Sequence, residues 1–306
     1  MAELVGLIPA AGKGTRAYPY TKRIPKGMLK VSGTPLLEHL VTLQRDQLGI
    51  RRIFIVVGTL GDAVKKYFGD GSRWGVRIEY LQNDAVHRGL AYSVSLGARA
   101  IQEPFLLTLS DEYYHDTDHS RLAHLPLDDS LGYCALMENQ DWNSISRNYT
   151  VQLEEERLSH LIEKPRERIG TLLGTGTFLL SPRVFEYLDE ALAAKDGPVD
   201  FIGVLDKAVQ SGEELRPLYL QGNYVNVNDV DSLNWANFLR RSQQLPSASL
   251  SVIIQSFGVE EGLPLLAEEF NEMHRVDEIL ITVPNGTPEP DWLSSLAKTR
   301  WLEAPP

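Results

Sequence analysis

Residues 6–29, GLIPAAGKGTRAYPYTKRIPKGML, join a short apolar run to a glycine-rich turn and then to fixed cations. Leu7 and Ile8 close the apolar run, and Ala10, Ala11, Gly12, Lys13, Gly14, Thr15 and Arg16 follow it. Glycine reaches positive φ and lacks the Cβ that blocks close approach, so the amides of Ala10, Ala11, Gly12 and Gly14 can converge on an oxyanion. Arg16 and Lys26 add what amides cannot, a planar fork and a compact point charge. A strand that ends in such a turn points to an α/β chain that binds phosphate.

Two familiar phosphate loops do not fit. The Walker pattern needs Lys and then Ser or Thr directly after its second glycine, and here Gly14 is followed by Thr15 and Arg16. The dinucleotide fingerprint needs a third glycine where Arg16 stands. An Arg two residues after the second glycine, followed by Pro25-Lys26, instead resembles the signature of the sugar-1-phosphate nucleotidyltransferases. Ile8-Pro9-Ala10-Ala11-Gly12 is most similar to the thymidylyl- and uridylyltransferase versions that act on glucose 1-phosphate. Gly12-Lys13-Gly14 alone recurs in ordinary strand-to-helix turns, and the specificity lies in the whole string.

Composition narrows the partners. Lys+Arg of 30 against Asp+Glu of 41 gives a net charge of -11, which repels nucleic-acid backbones and anionic membranes. A nucleic-acid polymer and a membrane are therefore excluded as partners, while a local cationic pocket still suits a single nucleotide. Cys134 is the only cysteine, so neither an intrachain disulfide nor a cysteine zinc cluster is available. No basic leader precedes the first apolar run, and no window approaches the roughly 18 apolar residues of a membrane span. A cytoplasmic location is expected.

Through the first half, strand-like runs alternate with helix-period segments, which predicts a doubly wound, mostly parallel or mixed sheet. Strands are expected at 4–8, 53–57, 76–81 and 105–109, and helices at 36–48, 62–68 and 90–101. The strand at 105–109 delivers Ser110-Asp111-Glu112 at its carboxyl end, the end at which open α/β sheets bind ligands. The second half carries shorter β segments near 149–153, 158–162 and 174–180, helices at 183–193 and 199–210, extended runs at 215–219 and 224–227, and a closing helix at 230–241. With the resemblance, residues 1–241 form a Rossmann-like nucleotidyltransferase domain. Residues 242–249, SQQLPSAS, read as a linker. Residues 250–306 read as a small βαβ segment similar to the start of family 2 glycosyltransferases, either a partial domain of a longer fused chain or a complete appendage.

The resemblance also assigns the chemistry. Nucleotidyl transfer asks a protein for positioning and charge stabilisation, with a metal ion on the phosphates. Asp111 resembles the family's metal-binding aspartate, with Ser110 where a smaller residue is usual. Asn226, in Tyr224-Val225-Asn226-Val227-Asn228-Asp229, takes the position of the second ligand for Mg²⁺, an ion that needs only a few hard protein oxygens beside substrate phosphates. Glu163-Lys164-Pro165 matches the family's EKP motif, which implies Glu163 on sugar hydroxyls and Lys164 on the attacking phosphate. Thr175-Gly176-Thr177-Phe178 is similar to the segment whose glycine touches the sugar. Gln82 and Gly89 resemble the Gln and Gly that read a pyrimidine edge, but the interval between them and Gly27 after the IPK lysine depart from the pattern. The nucleotide therefore stays open among dTTP, UTP and CTP.

The implied substrates are a nucleoside triphosphate and a sugar phosphate, with Arg16, Lys26 and Lys164 as catalytic cations. Self-association into a homo-oligomer is left open. Two other functions are kept beside this one, a cytidylyltransferase for a non-sugar phosphate or phosphonate, and a non-catalytic regulator that binds a nucleotide sugar. His115, Asp116, Asp118 and His119 have metal-ligand spacing, but imidazole suits transition metals, so they are read as a loop of solvated polar residues.

Overall fold

A computed structural model describes residues 4–12, 14, 17–18, 20–244, 250–273 and 276–304. The chain divides into two compact units, residues 1–238 and 239–306. Lys13, Thr15, Arg16 and residues 245–249 of the expected linker lie outside the described residues, while 242–244 continue the preceding helix.

In the first unit β1 (Val5–Ala10) leads into the glycine-rich turn, and a small hairpin, β2 (Lys30–Val31) and β3 (Thr34–Pro35), precedes α1 (Leu36–Leu48). Then β4 (Arg52–Val57), α2 (Gly61–Phe68), β5 (Arg77–Gln82), α3 (Gly89–Ser95) and β6 (Phe105–Thr108) alternate, as the hydrophobic periodicity predicts. The expected helix at 90–101 changes to a tighter 3₁₀ turn from Leu96 onward. Beyond β6 come β7 (Glu112–His115), β8 (Gly132–Glu138), α4 (Trp142–Arg147), β9 (Tyr149–Glu154), β10 (Arg157–Glu163) and β11 (Leu172–Leu180). The unit continues through α5 (Val184–Ala193), α6 (Phe201–Gln210), β12 (Leu215–Tyr219), β13 (Asn223–Asn226) and the start of α7 (Val230–Gln244).

The main sheet runs β10-β9-β11-β6-β1-β4-β5, with β8 joining β11 to β12. The run β6-β1-β4-β5 is parallel, and β11 pairs antiparallel with β6. Side chains alternate between two buried layers. Leu7, Phe54 and Val56 face α3, α5 and α6, whereas Ile8, Ile53 and Ile55 face α1 and α2. The crossover through α1 thus covers one face and the crossover through α3 the other, the doubly wound α/β arrangement expected from sequence. From β1 the chain adds β4 and β5 on one side and then β6 on the other, so strand order switches between the parallel β1 and β6 and a crevice opens beyond their carboxyl ends, which hold the glycine-rich turn and Asp111.

The second unit is a three-stranded parallel sheet, β14 (Leu250–Gln255), β15 (Val276–Pro284) and β16 (Thr299–Ala304) in that order, with α8 (Leu263–Glu272) crossing from β14 to β15. Ile279, Ile281 and Val283 form its core with Leu263 and Ala267. Among the described residues no helix is long and apolar enough to cross a membrane.

Phe54 has no exposed surface. Phe54→Ala is expected to lower unfolding free energy by about 3–5 kcal/mol, the usual cost of emptying a buried aromatic site. Urea titration checks this as a shift in midpoint at constant slope.

Candidate active site

Two cavities meet at the β1/β6 crevice. The first, about 400 Å³, is lined by Ala10, Ala11, Gly12 and Gly14 from the glycine-rich turn, Lys26, Gly89, and Ser110-Asp111 beyond β6. The second, about 280 Å³, is lined by Asp111, Glu163, Lys164, Gly176, Asn226 and the Asn148–Tyr149 corner, among others. Asp111 and Asn228 belong to both walls.

The glycines have separable reasons. Among the described residues, chain neighbours aside, a Cβ on Gly12 would meet no atom within 4 Å, so that position keeps clear space which a ligand can use. Gly14 adopts φ 61°, and its carbonyl accepts from Thr21 Oγ1 at 2.6 Å and from the Ala17 amide, which closes the turn. Gly27 is buried, and a Cβ there would come within 2.7 Å of Leu37 Cγ and 3.2 Å of the Ser110 carbonyl. That departure from the resembled pattern therefore has a packing cause in this chain, namely α1 pressing on the loop that carries Lys26.

Lys26 Nζ donates to Asp111 Oδ2 at 2.6 Å and to Asn228 Oδ1 at 2.7 Å. β13 brings those groups together by pairing antiparallel with β7, Asn226 opposite Glu112, and the Val227 amide donates to the Asp111 carbonyl at 2.8 Å. Asn228 is a site residue that the sequence reading passed over. Its only local signal is the i, i+2 spacing from Asn226. Lys164 stands at φ 47°, a strained region for a residue with a side chain, held by its amide donating to the Asn148 carbonyl at 2.7 Å. Its Nζ reaches Glu163 Oε1 at 2.7 Å, and burial pushes the Glu163 carboxyl up while that lysine opposes the shift.

Gly89 lines the first cavity, but Gln82 does not. Gln82 lies at the exposed end of β5, donates to Asp84 Oδ1 at 3.2 Å, and lines a separate hollow with Thr59 and His87. Arg16 lies outside the described residues.

Behind the second cavity sits Glu112, 1% exposed. Its Oε1 accepts from the Gly176 amide at 2.6 Å and Tyr224 Oη at 2.7 Å, and its Oε2 from Tyr114 Oη at 2.6 Å. The network continues through Thr177 to His119, whose Nδ1 meets Thr117 Oγ1 at 2.8 Å. The solvated-loop reading is thus corrected for the two histidines, while it holds for the exposed Asp116 and in part for the half-buried Asp118. His119 has no exposed surface and His115 is buried, because β7 and the turn after it pack inward under β13 and α1. Among the described residues no group of three His, Cys, Asp or Glu is placed to hold a metal.

With this geometry in view, residues 5–238 match the nucleotidyl transferase family, and the chain belongs to it. The UTP-glucose-1-phosphate uridylyltransferase AglF of Haloferax volcanii is 29% identical over 217 residues, 71% of this chain and 88% of that protein. The bifunctional protein GlmU of Methanococcus maripaludis is 25% identical over 233 residues, and the match spans 74% of this chain but only 53% of that protein. In fold, the chain is similar to a UDP-glucose pyrophosphorylase crystallised with UDP-glucose, at TM-score 0.68 and 22% identity, covering 79% of this chain and 99% of that one. The protein is thus an enzyme of the nucleotidyltransferase class.

Burial, joined by the Asp111 charge, pushes the Glu112 carboxyl up to about 7, against its three hydrogen bonds, while burial pushes His119 down to about 4. Folded Glu112 keeps a proton that the unfolded chain releases, so its contribution to stability is lost as pH rises from about 4.5 to 7. Folded His119 refuses a proton that the unfolded chain takes up, so its contribution grows as pH rises from about 4 to 6.5. The two slopes oppose each other. Glu112→Gln removes the first, and its unfolding free energy relative to wild type is expected to climb by about 3 kcal/mol between those limits. Urea unfolding at a series of pH values checks this, and parallel profiles for the two proteins would contradict it.

Proposed function

We propose that the chain joins a nucleoside triphosphate, UTP first among the candidates, to a sugar 1-phosphate of the glucose type, giving a nucleotide sugar and pyrophosphate. The observation that carries the reading is the shared wall. Asp111 and Asn228, both held by Lys26 from the glycine-rich cavity, also line a second cavity bearing Lys164 and Glu163. The names of the relatives support the uridylyl and glucose assignments.

In this reading the amides of Ala10, Ala11, Gly12 and Gly14, with Arg16 and Lys26, hold the triphosphate, and Gly89 attends the base, whereas Gln82 stands outside that cavity. Glu163 and the Gly176 backbone hold the sugar, and Lys164 steadies its phosphate. A sugar-phosphate oxygen forms a bond to the α-phosphorus, the bond from that phosphorus to the β-phosphate oxygen breaks, and pyrophosphate leaves. The chain supplies alignment and fixed positive charge to the equatorial oxygens. The donor set fits Mg²⁺, since Asp111 offers one carboxylate and Asn226 and Asn228 offer amide oxygens, all hard ligands, with no thiolate among them. Bound there, Mg²⁺ would neutralise phosphate charge. For residues 250–306 we keep the reading of a glycosyltransferase-like opening segment, supported by the parallel β14-α8-β15 crossover.

Pyrophosphate release, measured across a matrix of triphosphates and sugar phosphates, tests the reading. UTP with glucose 1-phosphate is expected to turn over best, and Lys26→Ala or Asp111→Ala to lose about 3 kcal/mol or more of transition-state stabilisation. Near wild-type rates in both variants would reject these roles. Absence of turnover with every triphosphate would favour a non-catalytic nucleotide-sugar sensor.

A further inference from the structure

We infer that Asn148 is a positioning residue that sets which end of the Asn226 amide faces the Lys26–Asp111 centre, and so presents oxygen, not NH₂, to a divalent ion. The inference rests on the reading of Asp111 and Asn226 as metal ligands and adds to it a residue outside every motif.

Three side-chain amides run head to tail. Asn148 Nδ2 donates to the Ser144 carbonyl at 2.8 Å, Asn226 Nδ2 to Asn148 Oδ1 at 2.7 Å, and Asn228 Nδ2 to Asn226 Oδ1 at 2.7 Å. Lys26 Nζ then donates to Asn228 Oδ1 at 2.7 Å. An amide has a donor end and an acceptor end of nearly equal size, so each could turn over on its own. Here both termini of the chain are one-way groups. The Ser144 carbonyl only accepts and the Lys26 ammonium only donates, so every amide between them has one orientation.

The two termini differ in what a substrate does to them. Lys26 is the group proposed to move onto the triphosphate, and when it does, its hold on Asn228 ends. Asn148 is anchored in the fold instead. Its Nδ2 bonds the last turn of α4, and its carbonyl takes the Lys164 amide at 2.7 Å. Asn148 Oδ1 therefore keeps the Asn226 Nδ2 turned away from the centre while phosphates and ion enter. Polar partners of this kind orient ligating groups, and removing one typically lowers metal affinity by about 10–100-fold.

Mn²⁺ serves as the probe, with free ion read by electron paramagnetic resonance, for the chain alone and with UDP-glucose. Asn148→Ala is expected to weaken Mn²⁺ binding about tenfold. Asn148→Asp, which still accepts from Asn226 Nδ2, is expected to bind at least as tightly as wild type. The discriminating comparison is in the Asn226→Asp background, where both oxygens of the carboxylate are acceptors and orientation no longer matters. There Asn148→Ala is expected to shift affinity less than about twofold. Asn148→Gly stands in if the Ala variant does not fold. Equal losses in both backgrounds, or no loss in either, would overturn the positioning role alone. A wild-type chain that binds no Mn²⁺ even with UDP-glucose would overturn the metal reading itself, and this inference with it.

Discussion

The contact of Lys26 with Asp111 and Asn228 organises the site. Lys26 lies 85 residues from Asp111 and 202 from Asn228, so the contact ties the turn after β1, the end of β6 and the loop after β13 into one locus. A mostly buried ammonium needs such partners, because an unpaired charge away from water is costly. The same three groups can exchange each other for triphosphate oxygens and a cation without creating a bare charge. In the proposed function the resting pair is a placeholder for the charges that the reaction brings in.

Everything around that locus keeps it stiff. Gly27 lets α1 press against the Lys26 loop, and Glu112 binds β7, β11 and β13 through one carboxylate. Gly176 belongs to this arrangement, since a Cβ there would come within 2.6 Å of both Glu112 carboxylate oxygens. The floor of the second cavity is therefore set by a polar network rather than by apolar packing alone, and such a network fixes geometry only when its members are paired. Glu112, Tyr114, Thr177 and His119 all are.

Much of this was legible in the chain itself, and the limits follow from physics. β1, β4 and β6 announce themselves because both faces of a parallel sheet are covered, which leaves unbroken apolar runs such as Ile53–Val57. The glycine-rich turn, Asp111, Glu163 and Lys164 were legible because their spacing is local. β8 was not read. Its sequence GYCALME has no β-branched residue, and its place is fixed by pairing with β11 and β12, 34 or more residues onward. Glu112 looks like a second exposed acid beside Asp111, and only the arrival of Tyr224 and Gly176 shows that it is buried. Asn148 and Asn228 sit outside every motif, and the contacts that bring them to the site come from Asn226 and Lys26, 78 and 202 residues away.

In the proposed reaction two phosphates meet at Asp111 and Lys26, one from each cavity. A crystal structure of the chain with a non-hydrolysable UTP analogue, glucose 1-phosphate and Mg²⁺ tests it most directly. The expected result has the sugar-phosphate oxygen within about 3–3.5 Å of the α-phosphorus, with Lys26 Nζ moved from Asp111 onto phosphate oxygen. Both ligands bound away from this shared wall, or a nucleotide seated with Lys26 still locked to Asp111 and Asn228, would contradict it.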